Sequence, residues 1–195
     1  KKKKSFPWQA ILGAILFLLI IAIIFVGMQY FRIASTLPSV AELRSRTSQF
    51  ETTRILDRNG NILYEMVDPN AGKRTYVPLE RISPYMIAAT IATEDKEYYN
   101  HPGFDVVAVA RALWQNYTSG EIVSGASTIT QQLARMLLLE EERFEQSYER
   151  KAREIILAAE ITRRYSKEEV LELYLNEIYY GNLTYGVEAA AETYF

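Results

Sequence analysis

Two adjacent acids, Glu94 and Asp95, end an apolar run with the pattern of a helix, and His101, the only histidine of the chain, follows shortly after. An acid at a helix C-terminus meets the negative end of the helix dipole, and apolar neighbours desolvate it. Both effects favour a carboxylate that accepts a proton from a substrate hydroxyl. The spacing alone is more typical of an exposed acid at a helix end.

The segment GASTITQQ, Gly125 to Gln132, places small and hydroxyl-bearing residues at the start of another helix. Free N–H groups and the positive dipole end at a helix N-terminus suit an anion such as phosphate. The Gly-Lys-Ser/Thr of a nucleotide-binding loop is missing. Ordinary helix capping is the alternative interpretation.

The segment RKARE places Arg150 and Glu154 four residues apart, on one helix face, and Lys151 about 100° round from Arg150. If these cations bind a phosphate, this geometry allows Arg150 to hold Glu154 while Lys151 meets the phosphate, and Lys151 should then act more independently of Glu154. A surface ion pair is the alternative, and such a pair stabilises a helix by only a few tenths of a kcal/mol.

Composition excludes several classes of function. The formal net charge of −2 does not favour nucleic-acid binding, and the absence of cysteine excludes disulfides and thiolate sites. With one histidine, a bound metal would need oxygen ligands.

The N-terminal residues predict a membrane anchor. A basic block, Lys1 to Lys4, precedes the uncharged run from Ala10 to Met28, and about 20 such residues span a bilayer core. The excess of lysine before the run, against Arg32 after it, predicts a cytoplasmic N-terminus. A cleaved signal peptide is the alternative, although its apolar core is usually about 7–15 residues long.

The remaining pattern predicts a small β region followed by a helical domain. A hairpin is expected over Arg54–Met66, around Asn59-Gly60, with a third strand over Thr75–Leu79. The expected division is a basic tail (1–9), an anchor (10–31), a linker with the hairpin (32–80) and a helical domain (81–195).

Capping residues mark the expected helices. These run from Ser83-Pro84 to about Lys96, after Asp105 to Tyr117, after Ser127 over 128–139, from Ser147 to about Tyr165, from the Ser166/Glu169 capping box to Gly181, and from near Tyr185 onward. The last helix reaches Phe195 without a cap, so we expect the natural chain to continue. The mixed segment Arg135–Phe144 fits either a membrane-surface contact or a core helix.

Five ordered segments carry a family resemblance: EDKEYYNHPG, GASTITQQ, RKARE, KEEVLELYLN and YGNLTYGVEAAAETYF. They resemble the motifs of the peptidoglycan glycosyltransferase domain (glycosyltransferase family 51), found in class A penicillin-binding proteins and monofunctional transglycosylases. The resemblance covers about Ile55 to Phe195. It implies a mainly α, lysozyme-like fold with two lobes around a cleft.

The resemblance also assigns roles to matching residues. The implied catalytic pair is Glu94, the general base, and Glu154, a second essential glutamate, while His101 supports the loop. The implied substrate-binding residues are Asp95, Thr128, Gln132, Arg135, Arg150 and Lys151. Two residues depart from the family pattern: Tyr98 replaces the usual Phe, and Arg135 replaces the usual Lys.

The implied reaction joins lipid II to a growing glycan that is still attached to its lipid pyrophosphate. The acceptor 4-hydroxyl attacks C1 of the donor with inversion, and lipid pyrophosphate leaves. Cations assist the leaving group, with Mg²⁺ or Mn²⁺ as a candidate addition and no organic cofactor. The implied location is the bacterial inner membrane, with the domain outside the cytoplasm and cell-wall synthesis proteins as candidate partners. A lysozyme-like glycan hydrolase and a noncatalytic scaffold are the alternatives.

Overall fold

A computed structural model of the chain describes residues 8–39, 41, 43–48, 51–67, 72–119, 127–142, 144–145 and 147–195. Most of the basic tail predicted at the N-terminus, and residues 120–126 of the loop before Ser127, lie outside these residues. The described part is mainly helical, as predicted, and divides into two compact units, up to Leu37 and from Pro38 onward.

The first unit is dominated by helix α1, Trp8–Ala34. Its apolar side chains are exposed along most of its length. The stretch Ile11–Ala34 is the one helix among the described residues that is long and apolar enough to cross a membrane. Its 24 residues make about 36 Å of helix, which exceeds a hydrocarbon core of about 30 Å.

The second unit contains the other elements. Its helices are α2 (Leu43–Ser48), α3 (Pro84–Glu94), α4 (Val106–Ser119), α5 (Ile129–Leu137), α6 (Tyr148–Arg164), α7 (Lys167–Glu177) and α8 (Val187–Tyr194). Its strands are β1 (Thr53–Leu56), β2 (Ile62–Met66), β3 (Lys73–Arg74), β4 (Tyr179–Gly181) and β5 (Thr184–Tyr185).

Helix α5 lies at the centre of this unit, in contact with α6 and α7. Ile129 and Leu133 on α5 are fully buried, as are Leu157 on α6 and Leu171 on α7. The three leucines of the segment Arg135–Phe144 lie in the core, since Leu137, Leu138 and Leu139 are 5–9% exposed, whereas Phe144 is 82% exposed and a membrane-surface contact there stays a prediction. Burial of these leucines removes them from any membrane-surface contact.

The predicted hairpin is confirmed, and its turn differs in detail. Strands β1 and β2 pair antiparallel, but the connection is longer than a two-residue turn. Oδ1 of Asp57 accepts hydrogen bonds of 2.8 Å from the N–H groups of Asn59 and Asn61. The carboxylate of Asp57 therefore organises a loop in which Gly60 has a φ of 86°.

The third strand was predicted in the wrong place. It lies at Lys73–Arg74, not at Thr75–Leu79, and it pairs in parallel with β5 rather than with the hairpin. Strand β4 pairs with the other side of β5. The predicted helix that was to end at Gly181 stops at Glu177, and the next residues form β4.

The segment predicted as a linker packs against the helical domain. Leu43 on α2 is fully buried, and the side chain of Asn176 on α7 bonds both the N–H and the carbonyl oxygen of Val77 at 2.8–2.9 Å. Arg74 pairs with Glu177 at the end of α7. Residues 38–80 therefore belong to the same compact unit as the helices.

Several predicted helix starts are confirmed. Asp105 accepts hydrogen bonds from the N–H groups of Val107 and Ala108, Ser147 caps α6, and Ser166 with Glu169 forms the capping box of α7. The cap of α5 was predicted one residue too early. Thr128, not Ser127, forms the capping box, with Gln131 as its partner.

An ion-pair network joins the hairpin and β3 to α8. Glu192 on α8 lies 2.7 Å from Nη2 of Arg54 and 3.0 Å from Nζ of Lys73, and Glu65 pairs with the same two cations. Burial acts to raise the pKa of Glu192, but the hydrogen bonds and charges of Lys73 and Arg54 outweigh it and leave the pKa below 4.5.

We expect Glu192→Gln to lower the free energy of unfolding at pH 7 by about 0.5–1 kcal/mol, since the pairs are partly exposed. A carboxylate with a lowered folded-state pKa stabilises the fold above its unfolded pKa, and this contribution disappears as the pH falls through the folded pKa. The difference from wild type should therefore shrink below about pH 4.5. Denaturant unfolding of both proteins at several pH values measures this difference in unfolding free energy.

Glu141→Gln is the matched control, because Glu141 is exposed and pairs with no cation among the described residues. It should change the free energy of unfolding little at any pH. A loss in Glu192→Gln that stays constant from pH 7 to pH 3 would contradict the ion-pair assignment.

Candidate active site

Glu94 is the last residue of α3, and its side chain is exposed. Its Oε2 accepts a hydrogen bond of 2.8 Å from Nε2 of Gln132 on α5. No hydrogen bond from another described residue reaches Oε1. One carboxylate oxygen is thus anchored and the other is open, an arrangement suited to a general base.

Asp95, one residue further, is buried and caps the end of α3. Its Oδ1 lies 2.9 Å from Nε2 of His101, and its Oδ2 accepts a hydrogen bond of 3.1 Å from the N–H of Ile129. Ile129 begins α5, so this carboxylate lies at the positive end of that helix. Asp95 therefore joins α3 to α5, and its predicted contact with substrate stays a prediction.

The loop after Asp95 is fixed to the start of α7. Nζ of Lys167 donates a 2.8 Å hydrogen bond to the carbonyl oxygen of His101 and lies 4.5 Å from the ring centroid of Tyr98. The hydroxyl of Tyr98 donates a 2.6 Å hydrogen bond to the carbonyl oxygen of Lys167. This placement is consistent with the supporting role predicted for His101, and Tyr98 supplies a hydroxyl that the usual Phe would lack.

Gly103 lets this loop approach α6 closely. Its φ is +93°, and a Cβ atom would lie 2.4 Å from the carbonyl oxygen of Ala158. The hydroxyl of Thr128 donates a 2.6 Å hydrogen bond to the carbonyl oxygen of Gly103 and accepts one of 3.1 Å from the N–H of Gln131. Thr128 thus holds the loop against α5, and its predicted role on the donor side stays a prediction.

Glu154 lies inside the cation cluster of α6, with 1% of its side chain exposed. Arg150 donates to its Oε1, and Nζ of Lys151 donates to its Oε2 at 2.9 Å. The prediction that Lys151 is more independent of Glu154 is wrong. Residues three apart on a helix are neighbours, and the long lysine side chain reaches round to the carboxylate.

Lys151 also links α6 to α5. Its ammonium donates to Oγ of Ser127 at 2.8 Å and to Oε1 of Gln131 at 2.9 Å, besides Glu154. Burial lowers the pKa of Lys151, the charge of Glu154 opposes this, and the positive charges of Arg135 and Arg150 lower it further. The three N–H groups of the ammonium are thus all used by Ser127, Gln131 and Glu154.

Arg135, on α5, differs from Arg150 and Lys151 in its contacts. It is half-buried and makes no hydrogen bond or ion pair with another described residue. Its charge acts on the pKa of Lys151 and on that of Tyr174 on α7. A guanidinium between these groups can bind an anion in a bidentate manner.

The residues from the hairpin turn to the end of the chain, 59–195, match the family model described as transglycosylase. The chain belongs to the transglycosylase family. The match covers well over half of the chain and includes every residue of the candidate site.

Named relatives support this membership. The transglycosylase chain is 43% identical to penicillin-binding protein 1A of Aquifex aeolicus over 178 residues, 90% of this chain and 24% of that protein. It is 43% identical to penicillin-binding protein 1A of Vibrio cholerae over 169 residues, 85% and 19% of the two chains. The match to penicillin-binding protein 1A/1B of Bacillus subtilis is 36% over 195 residues, 100% and 20%. The chain thus spans about a quarter or less of these relatives.

The sequence did not single out four residues of the transglycosylase site. Ser127 and Gln131 hold the ammonium of Lys151, Lys167 holds the loop at His101, and Tyr174 bonds Gln132. All four lie within the quoted motifs, Ser127 and Gln131 in the second and Lys167 and Tyr174 in the fourth, but the motifs did not indicate these contacts. The burial of Gln131 beside the half-buried Gln132 depends on tertiary packing around α5.

The described residues do not fit a divalent cation held by the protein. They contain no group of three His, Cys, Asp or Glu side chains that converge as ligands. Both oxygens of Glu154 are held by cationic side chains. Mg²⁺ or Mn²⁺ bound through the pyrophosphate of the substrate stays a prediction.

Proposed function

We propose that the chain carries a peptidoglycan glycosyltransferase that polymerises lipid II into β-1,4-linked glycan strands. The family membership, the names of the relatives and the contacts of Glu94 and Lys151 support this function. A lysozyme-like arrangement of two lobes around a cleft belongs to the same proposal, and the mainly helical fold is compatible with it.

The observation that carries the proposal is the position of α5 between the base and the cations. Gln132 on α5 bonds Glu94, while its neighbour Gln131 bonds Lys151. Arg135 follows one turn further along the same helix. One rigid, buried helix therefore fixes an accessible carboxylate and two cationic side chains, those of Lys151 and Arg135, relative to each other.

This arrangement suits transfer from a pyrophosphate leaving group. Glu94 takes the proton from the acceptor 4-hydroxyl as its oxygen attacks C1 of the donor from the face opposite the leaving group. The bond between C1 and the pyrophosphate oxygen breaks, and the configuration at C1 inverts. Arg135 and Lys151 stabilise the developing negative charge, so no general acid is needed. Arg150 keeps Glu154, and through it Lys151, in place.

The contacts of Glu154 argue against the hydrolase alternative. A lysozyme-like hydrolase needs two carboxyl groups that flank the scissile bond, one of them able to protonate a sugar leaving group. Glu154 is buried, and two cationic side chains occupy its oxygens. It is therefore poorly placed to donate a proton to substrate.

Incubation of the full-length natural protein with purified lipid II tests the proposed function. We expect long glycan strands, separated by gel electrophoresis, and release of lipid pyrophosphate. Shortening of preformed glycan would support the hydrolase, and neither reaction would support a noncatalytic scaffold. The test strands should be digested with a muramidase to establish their β-1,4 linkage.

The anchor extends the proposal to location. We propose that α1 spans the bacterial inner membrane with the N-terminus in the cytoplasm and the catalytic domain outside it. The length and apolar surface of α1 support a span, and the lysines that precede it support the orientation. Because both substrates carry lipid tails, an anchored site meets them by diffusion within the membrane. Other cell-wall synthesis proteins are candidate partners at this location.

Deletion of residues 1–31 should reduce activity on lipid II in bilayer vesicles much more than on lipid II dispersed in detergent. The physical reason is the loss of co-localisation, which matters only where substrate is confined to a membrane. Initial rates of the deletion variant and the wild type are measured in vesicles and in detergent, with equal amounts of protein and lipid II. The ratio of the two rates in each assay gives the loss of activity. Equal losses in both would show that the segment acts through folding or substrate binding instead.

A further inference from the structure

Tyr174 lies on α7 and is fully buried. Its hydroxyl donates a hydrogen bond of 3.2 Å to Oε1 of Gln132. The other end of the same amide, Nε2, donates a hydrogen bond of 2.8 Å to Oε2 of Glu94. The side chain of Gln132 thus connects a buried hydroxyl to the candidate base.

The direction of this chain of hydrogen bonds follows from its ends. A carboxylate only accepts hydrogen bonds, so the NH₂ end of the Gln132 amide must face Glu94. The amide oxygen is then left facing α7, where Tyr174 donates to it. Because hydrogen bonds in series polarise one another, donation to the amide oxygen strengthens the N–H donation to Glu94.

The charges around Tyr174 keep it in the role of donor. Burial raises the pKa of Tyr174, and the negative charge of Glu94 raises it further. The positive charge of Arg135 only partly opposes this effect. The hydroxyl therefore keeps its proton across the neutral pH range.

We propose that Tyr174 is a positioning residue that acts on Glu94 through Gln132. The two hydrogen bonds from Tyr174 to Gln132 and from Gln132 to Glu94, here called the relay, hold Oε2 of Glu94. They leave Oε1 without a hydrogen bond from any other described residue. In the transfer step the acceptor hydroxyl gives its proton to Oε1 as its oxygen bonds C1 and the pyrophosphate leaves with the electron pair. The inference rests on the proposed function, in which Glu94 is the general base.

The test measures kcat/KM for lipid II polymerisation against pH in the full-length natural protein. The variants are Tyr174→Phe, Gln132→Met and the double variant. Tyr174→Phe should lower kcat/KM about 3- to 10-fold, the equivalent of one hydrogen bond. It should also move the acid limb of the pH profile about 0.4–1 unit higher, because the ionised base loses stabilisation. The double variant should match Gln132→Met alone.

Tyr180→Phe is the matched control. Burial and the charge of Glu94 raise the pKa of Tyr180 to about 12, so the charge of the base acts on this tyrosine as it does on Tyr174. No hydrogen bond joins that hydroxyl to Gln132 among the described residues. Any effect of Tyr180→Phe should therefore add to that of Gln132→Met.

Two results would overturn the relay. One is a Tyr174→Phe variant with an unshifted acid limb; the other is a double variant whose losses add, as expected for a purely structural tyrosine. If Tyr174→Phe does not fold, an unshifted acid limb in Gln132→Met overturns it. A wild-type protein that makes no polymer rejects the proposed function and the relay together, whereas polymerisation with an unshifted limb rejects the relay alone.

Discussion

Glu94→Gln is expected to slow lipid II polymerisation by about 10²–10⁴-fold, the usual loss when a general base is removed. The substitution keeps the size of the side chain, and the amide oxygen of the new residue can still accept the hydrogen bond from Gln132. The free energy of unfolding should therefore change little. Steady-state polymerisation rates and thermal unfolding measure the two quantities separately.

Glu97→Gln is the matched control, since Glu97 is an exposed acid three residues further that bonds only Asn100 among the described residues. It should polymerise at close to the wild-type rate. If Glu94→Gln polymerises as fast as Glu97→Gln, Glu94 is not the base. If both are equally slow, the effect comes from the local charge of the loop.

The elements that the sequence predicted well depend on neighbouring residues. Asp105, Ser147 and Ser166 each bond an N–H group within three residues, so their capping role is visible in the sequence. The length and composition of α1 are likewise local properties. The same holds for the hairpin, whose two alternating runs flank Asn59-Gly60.

The elements that the sequence misplaced depend on distant residues. Lys73 pairs with Thr184, which no local propensity can specify. Thr128 rather than Ser127 caps α5, because the hydroxyl of Thr128 accepts from the N–H of Gln131 and donates to the carbonyl oxygen of Gly103. The hydroxyl of Ser127 instead accepts a hydrogen bond from Lys151. The order of motifs indicated which segments form the site, but not which side chains within them touch.

The contacts within RKARE show the same limit at the scale of one helix. Counting residues places Lys151 about 100° from Arg150, but it gives no measure of how far a flexible side chain turns. Burial of Glu154 decides the outcome, because a carboxylate removed from water needs a partner for each oxygen. Arg150 and Lys151 together supply those partners.

Lys151→Met is therefore expected to reduce both turnover and stability. Loss of one electrostatic donor to a developing charge typically lowers kcat by about 10²–10³-fold. The variant also leaves Oε2 of Glu154 without its cation, and Ser127 and Gln131 without their donor. Arg153→Met is the matched control on the same helix, because Arg153 pairs with Glu142 and Glu149 at the surface, and it should keep the wild-type rate.

Glu154→Gln should lower the free energy of unfolding by about 2–3 kcal/mol, somewhat less than breaking a fully buried pair, since 30% of the Lys151 side chain is exposed. Its new NH₂ group would face one of the two cations that the carboxylate held. In the double variant Lys151→Met/Glu154→Gln, the NH₂ group can face the side without a cation, because the ammonium of Lys151 is absent. The loss of unfolding free energy in the double variant should therefore be smaller than the sum of the two single losses by about 0.5–3 kcal/mol.

Denaturant unfolding of the four proteins gives this coupling energy, and polymerisation rates on lipid II give the catalytic part. Additive losses would mean that the contact between Lys151 and Glu154 contributes nothing measurable to stability. A Lys151→Met variant with the rate of Arg153→Met would reject its role at the leaving group. Among the described residues of the site, the guanidinium of Arg135 would then be the candidate for stabilising the pyrophosphate.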